Sequence, residues 1–201
     1  MKNKKGKERA PSSKNLKFTL TALFLTILSG TFLGYQISCK NKFCLRKEIT
    51  KKNYPLKIKI SKLKIEADIE RVGNSTNGKM EPPKNINNVA WYENGSLPGE
   101  KGSAVIAGHF DSQTGPAIFY HLAELERGDT VEIVTDNFKI LKFTVIEKEI
   151  YEFDNVPLEK IFNQNDKPRL NLITCGGKFD KETKNYSKRL VVYTELETKI
   201  K

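Results

Sequence analysis

Two kinds of hydrophobic pattern divide the chain. From Phe18 to Cys39 the stretch FTLTALFLTILSGTFLGYQISC carries no charged residue, and only scattered Thr and Ser interrupt it. As a helix rising about 1.5 Å per residue it is roughly 33 Å long, enough to cross the hydrocarbon core of a bilayer. From Tyr54 onward, apolar positions recur with period two instead. Leu56 to Ile60 alternates cleanly, and Leu63, Ile65, Ala67 and Ile69 continue the pattern. Ala104–Ala107, Thr130–Thr135, Lys139–Ile150, Leu170–Thr174 and Leu190–Thr194 read as further strands, with Asp136-Asn137 as a hairpin turn. Helical signals are short: Pro116 to Leu125, opened by its proline, and Pro157 to Phe162. Many short strands with little helix predict a mainly β domain, closed or nearly closed into a barrel.

Charge settles how the apolar segment sits. Lys2, Lys4, Lys5, Lys7, Arg9, Lys14 and Lys17 oppose only Glu8, a net +6 out of +11 for the whole chain. A basic cluster before a spanning helix keeps the N-terminus in the cytoplasm, so the residues beyond the helix lie outside. A cleaved signal peptide would have a shorter apolar region and a small-x-small site, and no clean one is present. Gln36 also stands where a lipoprotein cysteine at Cys39 would need an aliphatic residue. The expected organisation is therefore a basic cytoplasmic tail (1–17), a single transmembrane helix in the plasma membrane (18–39), a juxtamembrane linker (40–53) and an extracellular domain (54–201). The rest of the charge forms no dense Lys/Arg block joined to a base-reading motif, so nucleic acid is not an expected partner. Acids such as Glu66 and Asp68 read as solvated, and neither a metal site nor a cofactor is expected.

The candidate chemistry lies at one cysteine. Of three cysteines, Cys39 and Cys44 are in or beside the linker, where they either pair with each other or are incidental. Cys175 closes the apolar run Asn171-Leu-Ile-Thr-Cys175 and is followed by Gly176-Gly177. It reads either as a small core hydrophobe or as a nucleophile at a strand end. A catalytic thiol needs an imidazole partner and an oxyanion donor. The chain has two histidines. His109 follows a β run and precedes turn-forming residues, like Cys175, whereas His121 falls in the stretch expected to be helical. Arg169 lies about 20 Å along the strand from Cys175. Arg189 opens the next strand, and if the two strands are antiparallel neighbours it reaches the thiol with a planar fork of donors. Thr174 offers a hydroxyl beside it.

At these residues the chain resembles the sortases, cysteine transpeptidases of Gram-positive cell walls. The resemblance rests on Thr174-Cys175 closing a strand and Arg189 opening the next. It is most like class F in Ala107-Gly-His-Phe-Asp-Ser-Gln-Thr-Gly-Pro-Ala-Ile-Phe119 and Cys175-Gly-Gly-Lys-Phe-Asp180. Val89-Ala-Trp-Tyr92 and Pro98 to His109 extend it, so it covers roughly Tyr54 to Leu196. The resemblance implies an eight-stranded sortase-type barrel. It implies Cys175 as nucleophile, His109 as acid/base, Arg189 as oxyanion or substrate clamp, and Thr174 in support. The implied partners are surface proteins bearing Leu-Pro-x-Thr-Gly-type sorting signals and an amine of a peptidoglycan precursor or cross-bridge. A hydrolase passing the acyl group to water and a wall-binding β module are the rival readings.

Overall fold

The structure is a computed structural model that describes residues 52–198. The basic tail, the apolar segment 18–39 and most of the linker lie outside the described residues, as do Cys39 and Cys44. Leu56, expected to begin the alternation, is exposed, because the pairing register shifts between Pro55 and Lys57. In β1 (Pro55–Ile60), Ile58 and Ile60 are buried while Lys57 and Lys59 face solvent. A single 3-10 turn, Ser61–Leu63, returns the chain into β2 (Ile65–Val72), which pairs antiparallel with β1 and sets Ala67 opposite Ile58. Asp68 on the outer face bonds Lys57 at 2.8 Å, which accounts for that acid as a surface ion pair.

Eight strands close the barrel in the order β1, β2, β3 (Val89–Tyr92), β4 (Gly102–Gly108), β9 (Pro168–Asp180), β10 (Asn185–Leu196), β8 (Ile140–Glu152) and β7 (Thr130–Thr135), with β7 pairing back onto β1. The β2–β3 and β4–β9 pairs are parallel and the others antiparallel. Ala104, Ile106, Leu170, Leu172, Leu190 and Val192 point into the interior core. On the outer face of the same three strands, Val105, Val191 and Tyr193 are covered by Ile161 from the one α-helix described, α1 (Leu158–Phe162). Burial on both faces explains why β4 reads as a continuous apolar run.

Two expectations are corrected. Pro116–Leu125 is not a helix: Gly115–Pro116 is β6, paired with β5 (Asp111–Ser112), and only Leu122–Glu124 makes a 3-10 turn. The amides of Ala117 and Phe119 bond the carbonyls of Phe110 (3.1 Å) and His109 (2.9 Å), so they are withdrawn from any helical ladder. Phe119, Leu122 and Leu125, all fully buried, recur every three residues, the period of the tighter turn. The second correction concerns Cys175, which does not end its strand. β9 runs on to Asp180 and β10 begins at Asn185, so the expected loop after the cysteine is a long hairpin. Its register slips between Tyr186 and Lys188. Gly177 takes up the extra residue with φ 79°, a bulge that a side chain could not enter without strain.

Candidate active site

Cys175 and Arg189 are direct partners across the β9–β10 ladder, as an antiparallel hairpin demands. Burial pushes the Cys175 thiol above its ordinary value, the Arg189 charge pulls it part of the way back, and Asp111 pushes it up again. The resting thiol is therefore mainly protonated near neutrality, and the arginine is the group that favours its ionisation.

The Arg189 guanidinium is anchored at one edge. Nη1 donates to the carbonyls of Tyr186 (3.0 Å) and Lys188 (2.8 Å), and Nη2 to Asn185 Oδ1 (2.6 Å). A guanidinium has five N–H donors, so Nε–H and one Nη2–H stay available to a substrate oxygen. Three acceptors fix the plane of the fork before any substrate arrives, which is preorganisation of an oxyanion donor. Asn185 carries no signal of this in the sequence; only the hairpin register brings it to Arg189.

His109 leaves the end of β4. Its Nε2 is 2.9 Å from the carbonyl of Pro83, an acceptor only, so Nε2 carries a proton. Pro83 belongs to the β2–β3 connection, which is itself tied down by Glu70. That carboxylate accepts from the amides of Lys84 (2.8 Å) and Asn85 (3.1 Å) and from Asn88 Nδ2 (3.0 Å), and these bonds hold Glu70 below the usual carboxylate range. Gly108, just before the histidine, lies against the buried Phe119 ring: a Cβ there would stand 2.5 Å from Phe119 Cδ2. The glycine of the Gly-His pair thus serves close packing.

Thr174 is placed differently from the expectation. Its hydroxyl is buried and donates to the Gly108 carbonyl at 2.9 Å, adding a side-chain rung where the β4–β9 ladder ends. It braces the junction that carries both His109 and Cys175, and its proton is committed there. His121 is exposed and bonds Glu124 at 2.6 Å, outside the site. Arg169 pairs with Asp166 and Glu195 at the far end of β9.

Cys175, His109 and Arg189 line one groove of about 460 Å³. Its walls are largely apolar: Met80, Pro82, Pro83, Val156, Leu158 and Phe162 lead away from the thiol. Among the described residues, no group of three or more His, Cys, Asp or Glu side chains is placed to hold a metal ion. The arrangement is that of nucleophilic acyl transfer, with a thiol, an imidazole and a fixed guanidinium around a trough of ligand-pocket size.

Residues 58–197 match the Sortase domain family. No curated protein matches the chain. Among solved structures, the fold resembles sortase C from Clostridium perfringens SM101, with 22% identity and TM-score 0.53 over 71% of this chain and 68% of that one. It also resembles a Clostridium perfringens sortase D5 transpeptidase, with 22% identity and TM-score 0.54 over 73% of this chain and 82% of that one. Sortase A from Corynebacterium diphtheriae matches at 18% identity and TM-score 0.56, over 74% of this chain and 62% of that one. Through the family match across its whole barrel, the chain belongs to the sortase family.

Proposed function

We propose that the chain is a membrane-anchored transpeptidase that cleaves a Leu-Pro-x-Thr-Gly-type sorting signal and joins the acyl fragment to a cell-wall amine. The observation that carries this reading is the pairing of Cys175 with Arg189 on one rung, in a groove that His109 also lines. Cys175 gives its proton to His109 and its thiolate attacks the scissile carbonyl, and the developing oxyanion is met by the free Nε–H and Nη2–H of Arg189. Collapse of the tetrahedral intermediate breaks the C–N bond, His109 protonates the departing amine, and a thioester to Cys175 remains. An incoming amine then attacks the thioester, its proton passes to His109, and Cys175 leaves as the thiolate, which takes that proton back to restore the resting thiol. The apolar trough suits an extended segment with aliphatic and proline side chains.

The apolar segment 18–39 behind a basic tail supports a single-pass anchor with the catalytic domain outside, where the sorting signal and the peptidoglycan amine are both within reach. Within the family, the motifs from Ala107 to Phe119 and from Cys175 to Asp180 favour class F. The test is incubation of the full chain in detergent with an internally quenched sorting-signal peptide, with and without oligoglycine amine, read by mass spectrometry. The expected result is a peptide–oligoglycine product whose yield rises with amine. Release of free acid alone, insensitive to amine, would identify a hydrolase. Unchanged cleavage in Cys175→Ala would remove Cys175 as the nucleophile and with it the transpeptidase mechanism drawn here.

A further inference from the structure

Tyr186 touches both flanks of the groove. Its carbonyl accepts from Arg189 Nη1 at 3.0 Å. Its ring meets Phe110 edge-on at 5.6 Å and Phe179 at 5.1 Å, and its hydroxyl donates to the Asp111 carboxylate. Phe110 and Asp111 are the two residues directly after His109. A single side chain on the arginine-bearing hairpin therefore grips the segment that bears the histidine. The Gly177 bulge sits at the slip in register beside Tyr186, and such a bulge bends and twists a hairpin.

We propose that the Asp111–Tyr186 pair is a positioning latch that holds the His109 segment and Arg189 in one geometry across the Cys175 thiol. This rests on the function proposed above and assigns residues outside the Cys–His–Arg trio to it. The latch links Cys175, through Arg189 and Tyr186, to Asp111, two residues beyond His109. Without the hydroxyl–carboxylate bond, the Phe110–Asp111 corner is joined to Tyr186 only by a ring edge. A hydrogen bond to a charged group is worth more than the neutral kind, and burial keeps the Tyr186 phenol, pushed up to about 12, a donor at any working pH.

The pair has an electrostatic side as well. The charged groups that act on the thiol are Arg189 from β10 and Asp111 from β5, of opposite sign, while His109 lines the same groove and Tyr186 neutralises part of the Asp111 field. Two conservative variants therefore separate shape from charge. Tyr186→Phe removes the bond and keeps both the ring and the carboxylate. Asp111→Asn keeps the size of the side chain and removes the charge.

The experiment measures kcat and KM for peptide transfer to oligoglycine, together with the pH dependence of Cys175 alkylation by iodoacetamide, in the parent, both single variants and the double variant. Tyr186→Phe is expected to lose about tenfold in kcat with KM within about twofold, because the groove walls are untouched. Asp111→Asn keeps an acceptor oxygen for the Tyr186 hydroxyl and should lose only a few-fold, and its alkylation midpoint should move to lower pH, whereas that of Tyr186→Phe should not fall. Because both residues act through one bond, the double variant should lose no more than about twofold beyond Tyr186→Phe. A parent-like kcat in Tyr186→Phe or multiplying losses in the double variant would overturn the latch, and an unmoved midpoint in Asp111→Asn would remove its electrostatic side. If the parent transfers nothing, the functional reading fails, and hydrogen exchange at the Ala117 and Phe119 amides, which bond the Phe110 and His109 carbonyls, decides the latch: it should be faster in Tyr186→Phe, and parent-like exchange would overturn it.

Discussion

The two flanks of the groove are built by different means. On one, Cys175 and Arg189 face each other on a ladder between strands of 13 and 12 residues, so their relation comes from register alone. On the other, His109 lies beyond the end of β4 and is held by contacts from Pro83, from Phe119 and, through Gly108, from Thr174. The ladder flank is redundant, since each rung is supported by its neighbours. The histidine flank depends on single contacts made by distant segments. Substitutions that never touch the thiol should therefore damage the histidine side far more readily than the arginine side.

The largest effect expected is on the ladder flank itself. Cys175→Ala should reduce peptide transfer by more than about 10³-fold, as removal of a nucleophile does. The melting temperature should stay close to that of the parent, because removing one sulfur from a partly buried groove wall leaves little cavity. Retained transfer would mean that another group forms the acyl intermediate.

Arg189 comes next and separates charge from geometry. Arg189→Ala should cost about 10²- to 10³-fold in kcat, the usual loss for an oxyanion donor. Arg189→Lys should do almost as badly, because an ammonium cannot use the three acceptors that orient the fork. The thiol should tell the two variants apart. Arg189 pulls the thiol down, so the alkylation midpoint should rise in Arg189→Ala and stay nearer the parent's in Arg189→Lys. Near-normal turnover in the lysine variant would reduce Arg189 to a point charge.

The histidine flank can be broken without touching His109. Gly108→Ala forces a methyl toward the buried Phe119 ring, and overpacking of this kind costs about 1–3 kcal/mol. Thr174→Val strips the Gly108 carbonyl of its buried partner, at about 1–3 kcal/mol. Both should lower stability in urea melts and lower kcat, whereas loss of stability with unchanged kcat would show that His109 is held independently.

Glu70 provides the smallest and most remote test. Its carboxyl is held below the usual carboxylate range by the Lys84 and Asn85 amides. Its stabilising contribution is thus complete above the ordinary carboxylate pKa and fades as pH falls through the lowered one. Glu70→Gln should speed hydrogen exchange at the Lys84 and Asn85 amides, reduce kcat by only a few-fold, and remove that part of the acid sensitivity. Exchange identical to the parent would mean that Pro83 reaches His109 without this support.

Sequence alone marked seven of the eight barrel strands, all but β3, because period-two alternation is a property of short stretches of chain. It put Arg189 beside Cys175 on the condition, met in the barrel, that their strands are antiparallel neighbours. It also singled out His109 over His121, from the strand that leads into it. Tertiary structure decided what surrounds them. The Gly176-Gly177 pair read as the end of a strand and proved to be a bulge inside one, since only the pairing partner determines whether a glycine stops a ladder or bends it. Pro116 read as a helix start and became an edge of a ribbon, because carbonyls at Phe110 and His109 took the amides a helix needs. Thr174 read as a donor to substrate and is committed to Gly108, 66 residues away, while His109 is set by a carbonyl 26 residues away and Tyr186 by a carboxylate 75 residues away. Local alternation is written in the order of residues, whereas a hydrogen-bond partner at such separation exists only after the barrel has closed.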